Sequence, residues 1–147
     1  MSNYDKAINT LSNSLTKVDA HDLRDMAAGL TNAQWMCHEL ARMSGWWNEY
    51  FEMPDEYRKH FIGAKMALVH SEVSEAVEGY RKGKMDDHLP HRPATEVEFA
   101  DAIIRIFDMA GVLKLDVAGA IVEKLAYNQT RMDHKLENRA AEGGKTF

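Results

Sequence analysis

The chain has 147 residues, 45% of them hydrophobic and 28% charged, which is one domain by size and enough apolar material for a packed core. Its net charge is −5 and no run of Lys or Arg stands out, so the basic face that a nucleic-acid backbone binder needs is missing. One cysteine, Cys37, excludes an internal disulfide and a Cys-based zinc site, and no apolar run approaches a membrane span. The N-terminus lacks the pattern of a signal peptide, so a cytoplasmic location is expected.

Residues 1–30 are polar, with a weak helical pattern at Ile8, Leu11 and Leu15, and read as an N-terminal helical extension or linker. Thr31 or Asn32 is a candidate N-cap for a helix running to about Met43. Asp55, just after Pro54, opens a helix to about Lys84. Residues 83–93, GKMDDHLPHRP, are a loop by composition. Thr95 to Val112 is the next helix, closed by Gly111, and Asp116 caps a further one to about Lys135. Residues 137–147 form a tail, mobile or docked on a neighbour. No segment alternates with period two, so the expectation is an all-α antiparallel bundle of four to five helices.

Two helices break the apolar pattern. On the helix from Asp55, Phe61, Ala64 and Leu68 share a face, and at about 100° per residue Glu72 and Glu75 fall on it too. Glu78 falls on the polar side with Ser71, Ser74 and Arg81. Carboxylates aimed at a core need a partner, because a buried unpaired one costs several kcal/mol. On the helix from Thr95, Phe99, Ala100, Ile103, Ile104, Ile106 and Phe107 cover about half the circumference. Opposite them stand Glu98, Asp101, Arg105 and Asp108, flanked by Ala102 and Met109. Two acidic pairs on adjacent antiparallel helices are how bundles build carboxylate metal sites. All the donors are oxygens and no His sits at ExxH spacing, which favours Mg²⁺, with Mn²⁺ as a substitute, over a di-iron centre.

On the helix after Asp116, Lys124, Asn128 and Arg131 lie within the apolar face of Val117, Ala120, Ile121 and Tyr127. They are either snorkelling side chains or a phosphate clamp. The aromatic segment with Trp35, Trp46, Trp47, Tyr50 and Phe51 is a candidate ligand wall, with core and interface packing as the other reading. His88 to Arg92, between the acidic helices, either covers the site or simply turns the chain.

The stretches LVHSEVSEAVEGY from Leu68, EFADAIIRIFD from Glu98 and EKLAYNQTR from Glu123 resemble the MazG-like all-α nucleoside triphosphate pyrophosphohydrolases. The match covers about residues 60–135, within a catalytic domain read as residues 31–136. The resemblance implies a MazG-type bundle whose core is completed by a homodimer or homotetramer. It makes Glu72, Glu75, Glu98 and Asp101 the metal ligands, and Lys124, Asn128 and Arg131 contacts to the triphosphate or orienters of the metal water, with Lys124 also a candidate catalytic group. The first acid of the family's EExxE element is Ser71 here. The implied reaction is Mg²⁺-dependent hydrolysis of NTPs or dNTPs to monophosphate and pyrophosphate, cleansing the nucleotide pool, with Glu75 the candidate base and Trp35 and Trp47 the candidate base contacts. The competing class is a non-catalytic helical adaptor in which Glu72 and Glu75 pair with Lys124 and Arg131.

Overall fold

The computed structural model describes residues 1–15 and 18–131. Among these the chain is all-helical, with six helices against the four to five expected: α1 (Asn3–Ser14), α2 (Ala20–Met43), α3 (Asn48–Glu52), α4 (Asp55–Lys82), α5 (Ala94–Val112) and α6 (Val117–Thr130). None is long and apolar enough to cross a membrane. The tail, residues 137–147, and the continuation of α6 to Lys135 lie outside the described residues.

Two compact units divide the chain. The terminal unit is Met1–Thr31 with the described residues from Asp116 on. Its α1 begins at a capping box: Ser2 Oγ accepts from the Asp5 amide at 3.1 Å, and the Asp5 carboxylate accepts from the Ser2 amide at 3.3 Å. Ile8 and Leu11 of α1 pack with Leu23 and Ala27 of α2 and with Val122 and Ala126 of α6 in an apolar cluster. As expected, Asp116 caps α6, accepting from the Gly119 amide at 2.8 Å.

The start of α2 differs from the sequence expectation. Asp19 Oδ1 accepts from the amides of His21 at 2.7 Å and Asp22 at 3.0 Å, so the helix opens a dozen residues before Thr31. Thr31 instead turns its hydroxyl back to the Ala27 carbonyl, at 3.0 Å, inside a continuous helix.

The central unit is Asn32–Leu115: the rest of α2, the short α3, and the pair α4 and α5. Residues 83–93 join that pair as expected. Gly83 closes α4 at φ 61°, a left-handed cap that glycine adopts without a Cβ penalty. Asp86 Oδ1 then accepts from the amides of His88 and Leu89, and the Ala94 amide donates to the Lys84 carbonyl at 3.0 Å. Next to this turn the helices nearly touch, since a Cβ on Gly79 would stand 3.0 Å from that of Ala94.

Two faces are oriented otherwise than the apolar pattern suggests. On α4 the buried stripe is Glu72, Ala76 and Gly79, while Ala64, Leu68 and Glu75 are exposed. On α5 Ala102, Asp108 and Met109 are buried, with Glu98, Asp101 and Arg105 partly so, while Phe99, Ile103, Ile104 and Ile106 are 40–52% exposed. The small residues Ala76, Gly79 and Ala102 permit a close seam that bulkier apolar side chains would hold apart. α5 ends at Val112 as expected, but the left-handed residue at its close is Lys114, at φ 54°, and not Gly111. The absent side chain of Gly111 makes room for His38, whose Cβ lies 2.4 Å from where a Cβ on residue 111 would be.

Candidate metal centre

The seam between α4 and α5 gathers carboxylates. Glu72 is 7% exposed, and one oxygen from each of Glu72, Glu98 and Asp101 lies within 4.8 Å of the others. Oxygens around an octahedral Mg²⁺ are about 3.0 Å apart when adjacent and about 4.2 Å when opposite, so the three side chains would draw inward to close on such an ion. These residues can hold a metal ion, and the all-oxygen donor set suits a hard cation.

The electrostatics agree with a site short of positive charge. Burial raises the Glu98 carboxyl above its ordinary range, and the charges of Glu75, Glu72 and Asp101 add to this. Burial and the Glu72 charge raise Asp101 as well, against a smaller lowering by Arg105. Among the described residues one cation pairs with the cluster: Arg105 Nε donates to Glu72 Oε1 at 2.6 Å. A single guanidinium against three clustered carboxylates leaves a net charge of about −2.

Glu75, one turn beyond Glu72, stands outside the three-oxygen group. It lines a cavity of about 170 Å³ with Glu98, Glu78, Lys84, Asp86 and Asp87. A second cavity, of about 260 Å³, shares Asp101 with the cluster and is walled by Ala41, Trp46, Lys65, Ile104, Arg105 and Asp108.

Behind that second cavity lies a hydrogen-bonded core that sequence reasoning did not assemble. The Trp47 indole, fully buried, donates to Asp108 Oδ1 at 2.6 Å, and His38 Nδ1 lies 3.0 Å from the same oxygen. An ionised carboxylate only accepts, so His38 carries its proton on Nδ1 here. Tyr50 and Phe61 pack on the Trp47 ring, at 5.5 and 6.0 Å between centroids. The same carboxylate helps burial to push the Cys37 thiol up. Trp47 therefore fits the packing reading of the aromatic segment, whereas Trp35 is 64% exposed on α2.

The cationic residues singled out on the last helix belong to the terminal unit. Lys124 lies over the Tyr127 ring at 4.8 Å, Asn128 Oδ1 is buried without a hydrogen bond among the described residues, and Arg131 is the C-cap of α6. In the loop before α5, Arg92 pairs with Glu96 at 2.7 Å. The residues that sequence reasoning missed are Lys65, His38 and the pairing of Arg105. Lys65 left a signal, since it precedes Glu72 by seven residues, two turns on one face of α4.

No protein-family model, curated protein or solved structure matches this chain.

Proposed function

We propose that the chain hydrolyses nucleoside triphosphates, ribo or deoxyribo, to a monophosphate and pyrophosphate, with Mg²⁺ held by Glu72, Glu98 and Asp101 and supported by Glu75. The observation that carries this reading is the convergence of the three carboxylates across the α4–α5 seam, with one guanidinium to offset them. The order and spacing of the acidic elements, which resemble the MazG-like enzymes, supply the reaction class.

When bound, Mg²⁺ would offset the charge on phosphate oxygens and make a water more acidic. The residues of the chain divide the remaining work. Glu72, Glu98 and Asp101 hold the ion. Glu75, exposed and outside the three-oxygen group, accepts the proton of the attacking water. The water oxygen bonds to the α-phosphorus while the bond from that phosphorus to the bridging oxygen breaks, and pyrophosphate leaves with the electron pair. The clamp roles of Lys124, Asn128 and Arg131 and the base contact of Trp35 rest on the sequence pattern and the resemblance.

An adaptor reading draws on the Arg105–Glu72 pair, which satisfies one carboxylate without a metal. That pair leaves Glu98 and Asp101 with raised pKa values, a cost that a cation removes and that an adaptor has no use for. The deciding measurement is pyrophosphate release from the eight common NTPs and dNTPs in Mg²⁺. Turnover of at least one, with pyrophosphate as first product, is expected; orthophosphate as first product, or no turnover of any, refutes the reading. The outward apolar arc of α5, Phe99, Ile103 and Ile106, belongs to the same proposal as the contact face of a homodimer or homotetramer. Light scattering at micromolar concentration should show the assembly, and a monomer would count against it.

A further inference from the structure

The two cavities beside the carboxylates differ in charge. The smaller one is walled by Glu75, Glu78, Asp86, Asp87 and Glu98 against the single cation Lys84. The larger has Lys65 and Arg105 facing Asp101 and Asp108. Asp108 is already engaged there, with two donors on one oxygen. An anionic ligand that reaches the metal centre is repelled on the first side and admitted on the second.

Lys65 is the unusual member of that wall. Its ammonium lies 5.0 Å from the Trp47 ring centre, 5.3 Å from that of Trp46 and 5.5 Å from that of Phe61. Among the described residues no carboxylate pairs with it, although Asp101 and Asp108 line the same cavity. Three ring faces attract a cation but neutralise none of its charge. The rings hold the ammonium beside the cavity before any ligand arrives. Arg105 is the second cation, and in the absence of metal it is spent on Glu72. A divalent ion on Glu72 would compete with that guanidinium and release it towards the cavity that it already lines.

We propose that the cavity walled by Trp46, Lys65, Arg105 and Asp101 receives the phosphate chain of the ligand, with Lys65 as a preset phosphate-binding cation and Arg105 as a second that becomes available when metal takes Glu72. The inference rests on the metal-centred reading above and adds to it the position of the polyphosphate. At about 260 Å³ the cavity is smaller than the usual pocket for a whole drug-sized ligand, so it takes part of a nucleotide.

The test is calorimetric titration of the full chain with inorganic tripolyphosphate in excess Mg²⁺. Lys65→Met, which keeps the stem on the rings, should weaken binding by at least about tenfold, as expected for loss of a charge-assisted contact. Lys65→Arg should stay within about threefold of wild type, and the affinity for Mg²⁺ alone should be unchanged in both. Lys65→Gln is run beside them, with thermal melts. Tripolyphosphate should also shield Lys65 of the wild-type protein from acetylation by acetic anhydride, read by mass spectrometry, which needs no variant to fold. Wild-type affinity in a folded Lys65→Met or Lys65→Gln, no shielding, or no binding of tripolyphosphate by the wild type would overturn the proposal. Release of pyrophosphate from a nucleotide by a chain that fails these tests leaves the enzymatic reading standing without this subsite. Binding through Lys65 with no nucleotide hydrolysed leaves the subsite and removes the reaction.

Discussion

The terminal unit buries Ile8, Leu11, Leu23, Val122 and small alanines, with no charged side chain in the cluster. The central unit buries Glu72 and Asp108 and turns Phe99, Ile103, Ile104 and Ile106 of the same seam outward. The first arrangement is what hydrophobic burial favours, at about 25 cal/mol per Å² of apolar surface removed from water. The second works against it, because desolvated carboxylates raise the free energy of the folded chain. A helix pair that keeps acids inside and isoleucines outside is not explained by hydrophobic burial alone, and the proposed cation and subunit partner would supply the two missing terms.

Substitutions should separate the two units by what they damage. The largest effect is expected at the carboxylates: Glu72→Gln or Asp101→Asn should reduce pyrophosphate release by at least about a thousandfold, the several kcal/mol that a metal contributes. Circular dichroism should show unchanged helix content, and near wild-type turnover in either variant would remove these residues from the site. Ile8→Ala in the terminal cluster should do the reverse. It should cost about 2–5 kcal/mol of stability in urea unfolding, as for other large-to-small core changes, with Mg²⁺ affinity unaltered in the folded fraction.

Arg105→Met should be intermediate. Without metal, the melting temperature should fall by several degrees, since Glu72 loses its only cation among the described residues, and saturating Mg²⁺ should recover most of the loss. A drop that Mg²⁺ leaves untouched would make Arg105 a purely structural strut. The smallest effect concerns pH. The carboxyls of Glu98 and Asp101 are raised in the folded state, so the folded chain holds their protons more tightly than the unfolded chain does. Their contribution to stability is then fully present below the ordinary values of 4.5 and 3.8, and is lost as pH rises through the raised folded values. In chelator, wild type should therefore gain on a Glu98→Gln/Asp101→Asn double variant as pH falls towards that window. In Mg²⁺ the trend should reverse, because protons compete with the metal. Parallel melts of the two proteins across that range make the check.

The helical periodicity of α4, α5 and α6, the Asp116 cap and the 83–93 turn were legible because each rests on local chemistry. The gathering of Glu72 with Glu98 and Asp101 was legible too, since two misplaced acidic pairs on neighbouring helices have few common explanations. What could not be read was how the broad apolar arc of α5 divides between inside and outside. Periodicity states which residues share a face, but not that Phe107 is buried while Phe99, Ile103, Ile104 and Ile106 are exposed. The seam is set by the small residues Ala76, Gly79 and Ala102, whose weight in packing no hydropathy pattern expresses. The joining of His38, Trp47 and Asp108 was illegible for another reason: the partners lie 61 and 70 residues apart, with no spacing rule between them.

Gly111 has no functional group, yet it governs one. His38 fills the volume that any side chain at position 111 would occupy, with ring and Cβ atoms 2.3–2.8 Å from the place of a Cβ. A single methyl there would evict the imidazole and leave Asp108 Oδ1 with the Trp47 indole as its one remaining donor. Mutational tolerance in this part of the chain should therefore follow occupied space more than distance from the carboxylates. An alanine on the far turn of α5, silent by every chemical criterion, would read out as a carboxylate short of one donor beside the cavity of Lys65.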